Sequence, residues 1–360
     1  MKISRVILLV VVLIVVLIIA AAALAALNAP KNSEWKVAAE YPIQAEDTSG
    51  VSGQQCVNST VYIYCIGGAD VAGGPHNTVY TSSAISSSFG NITGWTQDVS
   101  PYPQTIFAQA CVANSGYVYC TGGTYDDAGD DVASSYYAPL TSNGVVGTWS
   151  PTTPYPIPVD SQSCVTSSGY IYCVGGWDEA AGTNASRALS NYVYYAPLSP
   201  SGIGDWTQTA SYPSNTYFPS CYATDGYIYC IGGVDSNENY QSLDYYASLS
   251  ATGVGSWIQT MAYPFQGLGQ GCATSSGYIY CVGGDQSSGF TNAVYYATVS
   301  SGGIGAWVKA PNYPDSVWTN CAILSSNMYC VGGLDGSSTG ETGASYYIPL
   351  ISLTSTTTTS

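Results

Sequence analysis

A phrase of seven residues, Tyr278-Ile279-Tyr280-Cys281-Val282-Gly283-Gly284, occurs six times with small changes, and each copy follows another cysteine nine positions before its own. The pairs are Cys56/Cys65, Cys111/Cys120, Cys164/Cys173, Cys221/Cys230, Cys272/Cys281 and Cys321/Cys330, which account for all 12 cysteines. Identical spacing argues for a partner within each unit. Ser115-Gly116, Ser168-Gly169, Asp225-Gly226 and Ser276-Gly277 lie midway between their cysteines, and this is the chemistry of a two-residue hairpin turn. Such a turn sets the cysteines opposite each other in a non-hydrogen-bonded pair, where Cα atoms approach to about 4.5 Å. A disulfide spans roughly 4.4–6.8 Å between Cα atoms, so six local disulfides are expected. Each closes a short loop, for about 2–3 kcal/mol by chain entropy. Zinc is the competing reading. It fits poorly: the pairs are not CxxC, the only histidine is His76, and two facing strands present two thiolates.

The remainder of each unit repeats too. Trp35 is followed by Tyr41-Pro42, and the same half-phrase returns at Trp95, Trp149, Trp206, Trp257 and Trp307. Each Trp is read as opening a strand that ends before the Tyr-Pro turn, since proline removes a ladder donor. A third element, Tyr136-Tyr137-Ala138-Pro139-Leu140 in one unit and Tyr295-Tyr296 in another, lies between each Gly-Gly and the next Trp. Each unit of about 50–57 residues therefore holds four short strands. The fold expected is all-β, a six-bladed β-propeller with four-stranded blades. The first Trp strand has no hairpin before it, and the last unit has no Trp strand after it. Pairing Trp35 beside Tyr346 would complete the last blade and leave no free edge.

Here the chain resembles the Kelch-repeat, galactose-oxidase-like propellers. Gly67-Gly68, Gly122-Gly123, Gly175-Gly176, Gly232-Gly233, Gly283-Gly284 and Gly332-Gly333 end the second strands, and a Tyr stands three places before each pair. A Tyr in the third strand and a Trp opening the fourth complete the signature over roughly residues 35–350. The cysteine pairs are not part of the usual Kelch pattern, and its basic residues are missing. The resemblance also bears on chemistry. Galactose oxidase needs two histidines for copper and sialidase propellers an arginine triad; this chain has His76 and, beyond the N-terminal segment, Arg187.

Residues 1–5 carry two cations, and 6–27 form an uncharged, largely apolar run long enough to span a bilayer. The expected organisation is a cytoplasmic flank at 1–5, a signal-anchor helix at 6–27, a linker at 28–34, the propeller at 35–351 and a Ser/Thr-rich tail at 352–360. Cleavage of 6–27 as a signal peptide, near Ala23-Leu24-Ala25, would make the protein secreted instead. Disulfides place everything after Leu27 on an oxidising exterior. Asn58, Asn91 and Asn184 begin glycosylation sequons. Beyond residue 30 the cations are Lys31, Lys36, Arg187 and Lys309 against 22 acids, so nucleic acid is excluded as a partner.

The loop after each Gly-Gly carries an acid: Asp70, Asp126, Asp178, Asp235, Asp285 and Asp335. Such an acid either bonds the backbone of its own turn or joins a ring that binds a cation or sugar hydroxyls. Asp126-Asp127 with Asp130-Asp131 is the place where calcium would fit best, although regular ligand spacing is lacking. No cofactor or metal is otherwise expected. Gln54, Gln109, Gln162 and Gln270 precede four of the first cysteines and are expected to line a central channel with polar groups. Trp177, Trp318, Tyr125 and Phe218 break the repeat and are candidate ligand platforms. These features point to non-catalytic surface recognition or adhesion, with a glycan or envelope protein bound through the loop-rich face. A carboxylate-pair polysaccharide hydrolase or lyase and an architectural envelope component are the alternatives.

Overall fold

The computed structural model describes residues 35–42, 51–70, 74–83, 92–125, 130–178, 188–336 and 340–354. The segments expected at 1–5, 6–27 and 28–34 lie outside these residues. No helix among the described residues is long and apolar enough to cross a membrane.

The chain is all-β. Six larger antiparallel sheets each grow from one cysteine hairpin. The third sheet is typical, with strands Ser163–Ser167, Tyr170–Val174, Val193–Ser199 and Thr207–Gln208. Cys164 faces Cys173 in the register of its hairpin. Ser168 and Gly169 turn it with φ of 50° and 81°, the left-handed pair that suits the right-handed twist of the flanking strands. All six expected disulfides are present, from Cys56–Cys65 in the first sheet to Cys321–Cys330 in the sixth, with Cα atoms 4.0–4.1 Å apart. The fourth strand begins just after its Trp and is only two or three residues long in every sheet. Such short outer edges offer little template for pairing with another chain.

The sixth sheet is completed from the other end of the described chain. Lys36 pairs with Tyr347 and Val37 with Tyr346, so the Trp35 strand takes the fourth place beside Glu341–Pro349.

The hydrophobic core lies between sheets rather than inside any one of them. Along Tyr227–Ile231, alternation sends Tyr229 and Ile231 to one face and Ile228 and Cys230 to the other. The cysteine face packs on Tyr172 and Val174 of the third sheet, and the tyrosine face on Cys272 and Cys281 of the fifth. The pattern recurs at the other junctions. Cys330 of the sixth sheet packs with Tyr280 and Val282 of the fifth, and Tyr329 and Val331 of the sixth meet Cys65 of the first. A second aromatic layer lies further out, where each Tyr-Pro tyrosine meets the next Trp edge to face. Tyr102–Trp149, Tyr155–Trp206 and Tyr212–Trp257 have centroids 4.9 Å apart, and Tyr313–Trp35 closes the series at 4.8 Å. Such pairs add about 0.5–1.5 kcal/mol each beyond the area they bury.

The Gly-Gly steps join neighbouring sheets through backbone. The second glycine donates its N–H to the segment leading into the next sheet: Gly123 to Val159 O at 2.8 Å, Gly284 to Val317 O at 2.8 Å, and Gly333 to Val51 O at 3.2 Å. A Cβ on Gly175 (φ 67°) would stand 2.5 Å from the Thr216 carbonyl, closer than real Cβ contacts come.

A short helix, Leu350–Thr354, follows the last long strand. Leu353 is buried in the cluster between the fifth and sixth sheets. The packed chain therefore reaches past the expected boundary at residue 351, because Leu353 has a core to enter. Residues 355–360 lie outside the description.

Candidate functional site

The first strands of all six sheets surround one cavity of about 630 Å³. This is within the roughly 300–1,000 Å³ typical of small-molecule sites. Its wall includes the first cysteine of every pair, Gln55, Ser163 and Asn320, and no charged side chain. The absence of charge follows from the repeat, since the residues flanking each first cysteine are small or neutral and polar.

The two cysteines of a pair therefore have different surroundings. Cys65, Cys120, Cys173, Cys230, Cys281 and Cys330 are completely buried and do not line the cavity. They sit on the second strand, one step further from the cavity, where the neighbouring sheet covers them. The disulfides are thus structural rivets, and the second cysteine of each, Cys330 included, is no part of the cavity wall.

The four channel glutamines line the cavity, as the sequence implies. Gln54, Gln109, Gln162 and Gln270 are all buried. Three of them tie neighbouring sheets together: Gln109 Nε2 donates to Ile66 O at 2.9 Å, Gln162 Nε2 to Thr121 O at 2.9 Å, and Gln54 Nε2 to Val331 O at 3.1 Å. Each acceptor immediately precedes a Gly-Gly on the sheet before. Gln270 differs, for its Nε2 has no partner while Ser220 Oγ donates to its backbone carbonyl at 3.0 Å. The amide oxygens of Gln109 and Gln162 are shut off from solvent without a partner. Gln54, Gln109 and Gln162 thus act as inter-sheet bolts at the cavity wall.

The mouth on the Gly-Gly side is where the sheets cease to be alike. Three places before the first cysteine stand Gly53, Ala108, Ser161, Phe218, Gly269 and Trp318 in turn. The first five all have φ between 49° and 65°. Where the position is glycine, a neighbour's ring occupies the space: Phe107 lies against Gly53, and the Trp318 indole lies over Gly269. Trp318 thereby crosses the fifth sheet and meets Phe218 of the fourth, edge to face at 4.6 Å between centroids. The row continues outward through Tyr217, 5.3 Å from Phe218, to Trp177, 4.8 Å from Tyr217. Phe107, Phe218 and Trp318 line the cavity. All of these rings are half-buried, so each keeps part of its surface open to solvent. Burial and the carboxylates of Glu238, Asp285 and Asp160 push the Tyr217 hydroxyl above its ordinary pKa, so it stays a neutral phenol.

Of the platforms read from sequence, Trp177, Phe218 and Trp318 come together in this row, whereas Tyr125 is exposed at 45 %. Phe107 and Tyr217 were not singled out by the sequence. Both stand four places before their first cysteine, and comparing that position across the six units would have marked them.

Asp70 and Asp235 bond within their own loops, whereas Asp285 bonds a residue of the preceding unit. Asp70 is buried, with its Oδ2 2.6 Å from His76 Nε2. Asp235 accepts from the amides of Asn237 and Asn239 at 2.8 and 3.1 Å and from Gln241 Nε2 at 2.9 Å. Its desolvation works to raise the pKa, but the amides of Asn239 and Asn237 outweigh it and the net shift is downward. Asp285 accepts from the Tyr240 hydroxyl at 2.7 Å; that bond, with burial, pushes the phenol up to about 12. Asp178 is buried on a two-residue strand paired with Val159, and Asp335 ends the long second strand of the sixth sheet. None of these lines the cavity. Asp126 and Asp127 lie outside the described residues, and no group of three or more His, Cys, Asp or Glu side chains suited to a metal occurs among the described ones.

Among the sequons, Asn58 is exposed at the far end of its strand, where its Nδ2 donates to Ile323 O of the sixth sheet at 3.0 Å. Asn91 and Asn184 lie outside the described residues. Compared with known proteins, the chain matches no family model and no curated protein.

Proposed function

We propose that the chain is a six-bladed, Kelch-like propeller tethered outside the cell by its N-terminal apolar segment. It serves as a non-catalytic recognition or adhesion module that binds a glycan or envelope protein through the face carrying the Gly-Gly loops. The observation that carries this reading is the aromatic row from Trp177 through Tyr217 and Phe218 to Trp318, which leads from the loops to an uncharged cavity. Half-buried aromatic rings around a polar, neutral concavity suit binding, since they offer large contact area at low entropy cost. The cyclic order of the six inter-sheet clusters supports the propeller, and the Lys36–Tyr347 pairing supports its closure by the first strand.

The test presents the purified full chain to immobilised neutral oligosaccharides, acidic oligosaccharides and purified envelope glycoproteins. Saturable binding to one class is expected. Folded, fully oxidised protein that binds none of them would contradict the reading.

A further inference from the structure

We propose that the cavity mouth receives the end of a neutral saccharide chain, one sugar ring lying against Trp318 and Phe218 beside Phe107. This deepens the recognition reading and rests on it.

Three features narrow the ligand. The first is charge. The chain carries a formal net charge of −16, and no charged side chain lines the cavity. An anionic group is repelled on approach, and any ion would lose hydration inside without a counter-charge to replace it. The second is the pairing of surfaces. Phe107, Phe218 and Trp318 supply apolar faces at the rim, while half-buried Gln55, Ser163 and Asn320 supply amides and a hydroxyl deeper in the wall. A pyranose has the matching duality, with C–H groups on a ring face and hydroxyls around its edge that both donate and accept. Water alone would satisfy the polar wall and gives no role to the rings. The third is the way the mouth is built. Gly269 leaves the space over which Trp318 reaches Phe218, and a Cβ there would collide with the indole. That glycine and Trp318 occupy equivalent positions in adjacent units, so Trp318 and Phe218 meet on one side of the mouth, while the second and third units carry only the small Ala108 and Ser161 there. A chain end enters such an opening more readily than the middle of a polymer does.

The test titrates the purified full chain with maltohexaose, cellohexaose, mannohexaose, xylohexaose and chitohexaose as neutral probes, and with hexagalacturonate and a heparin hexasaccharide as acidic ones. At least one neutral probe is expected to bind saturably. Reducing-end and non-reducing-end capped forms should differ in affinity. Trp318→Ala and Phe218→Ala should each weaken binding at least tenfold, while Trp318→Phe keeps it within a few-fold. If Trp318→Ala does not fold, Phe107→Ala carries the same comparison. Acidic probes binding better than neutral ones, or neutral binding unmoved by these variants, would overturn the mouth assignment and leave surface recognition standing. Failure of every sugar would overturn it too, and recognition itself would fall only if the envelope glycoproteins also failed to bind.

Discussion

The junctions between sheets and the mouth of the cavity are built from the same repeat, yet they follow opposite rules. At the junctions, the Tyr three places before each Gly-Gly is kept six times, and it meets the cysteine face of the next sheet. At the mouth, three places before the first cysteine, the same six units carry Gly, Ala, Ser, Phe, Gly and Trp. Close packing punishes any change of volume at a junction. At the rim Phe218 and Trp318 keep part of their surface open, and the position is free to differ from unit to unit, so that is where a ligand can be specified.

The largest expected break of this contrast is at Gly283. Its φ is 64°, and an added Cβ would run into the Val317 carbonyl. Gly283→Val should abolish cooperative unfolding or lower stability by more than about 4 kcal/mol, the range in which single changes become diagnostic. Ala108→Gly, at a mouth position with φ 54°, should instead be neutral or slightly stabilising in the same denaturant titration.

Asp244 tests a junction by pH. It is fully buried just before the fourth sheet's third strand, where the third and fifth sheets have Val193 and Val294. Burial raises its pKa to about 8, although the amides of Gly232 and Tyr263 work the other way. The folded state therefore favours the protonated acid. That stability is fully present below the unfolded value near 3.8 and is lost as pH rises towards about 8. Thermal melts from pH 4 to pH 8 should show the wild type losing a few kcal/mol, at roughly 1.4 kcal/mol per pKa unit as an upper limit. Asp244→Asn should flatten that slope.

Replacing Cys111 and Cys120 together by serine should lower stability by about 2–3 kcal/mol, measured by urea titration, since only a short loop is released. The smallest effect is expected where junction phenols lack partners. The hydroxyls of Tyr41, Tyr102, Tyr212 and Tyr263 are buried and unbonded. Tyr263→Phe should leave stability unchanged or raise it by less than about 1 kcal/mol, because it removes a desolvated polar atom.

Much of the architecture was legible in the residues. The nine-residue cysteine spacing with Ser-Gly at its centre encodes register and disulfide together, and the Tyr-Tyr and Trp elements give strand order. The lone opening Trp strand also foretold the Lys36–Tyr347 pairing. Side-chain destinations were less legible. Equal spacing does not reveal that Cys321 faces the cavity while its partner Cys330 is sealed against the fifth sheet. Gln162 reads as channel lining and does line the cavity, but its amide also bolts the third sheet to the second through a carbonyl that sequence spacing alone does not locate. Leu353 reads as tail, yet a cluster from the fifth and sixth sheets receives it. Phe107 and Tyr217 gain meaning only when distant segments are brought to one rim.

The most direct measurement is a crystal structure of the full chain grown with a neutral oligosaccharide that it binds. The expected result is one terminal sugar ordered at the Gly-Gly mouth, its face on Trp318 and Phe218 and its hydroxyls within reach of the cavity wall. A sugar ordered on the outer strands or at the hairpin end, with the mouth unoccupied, would contradict it.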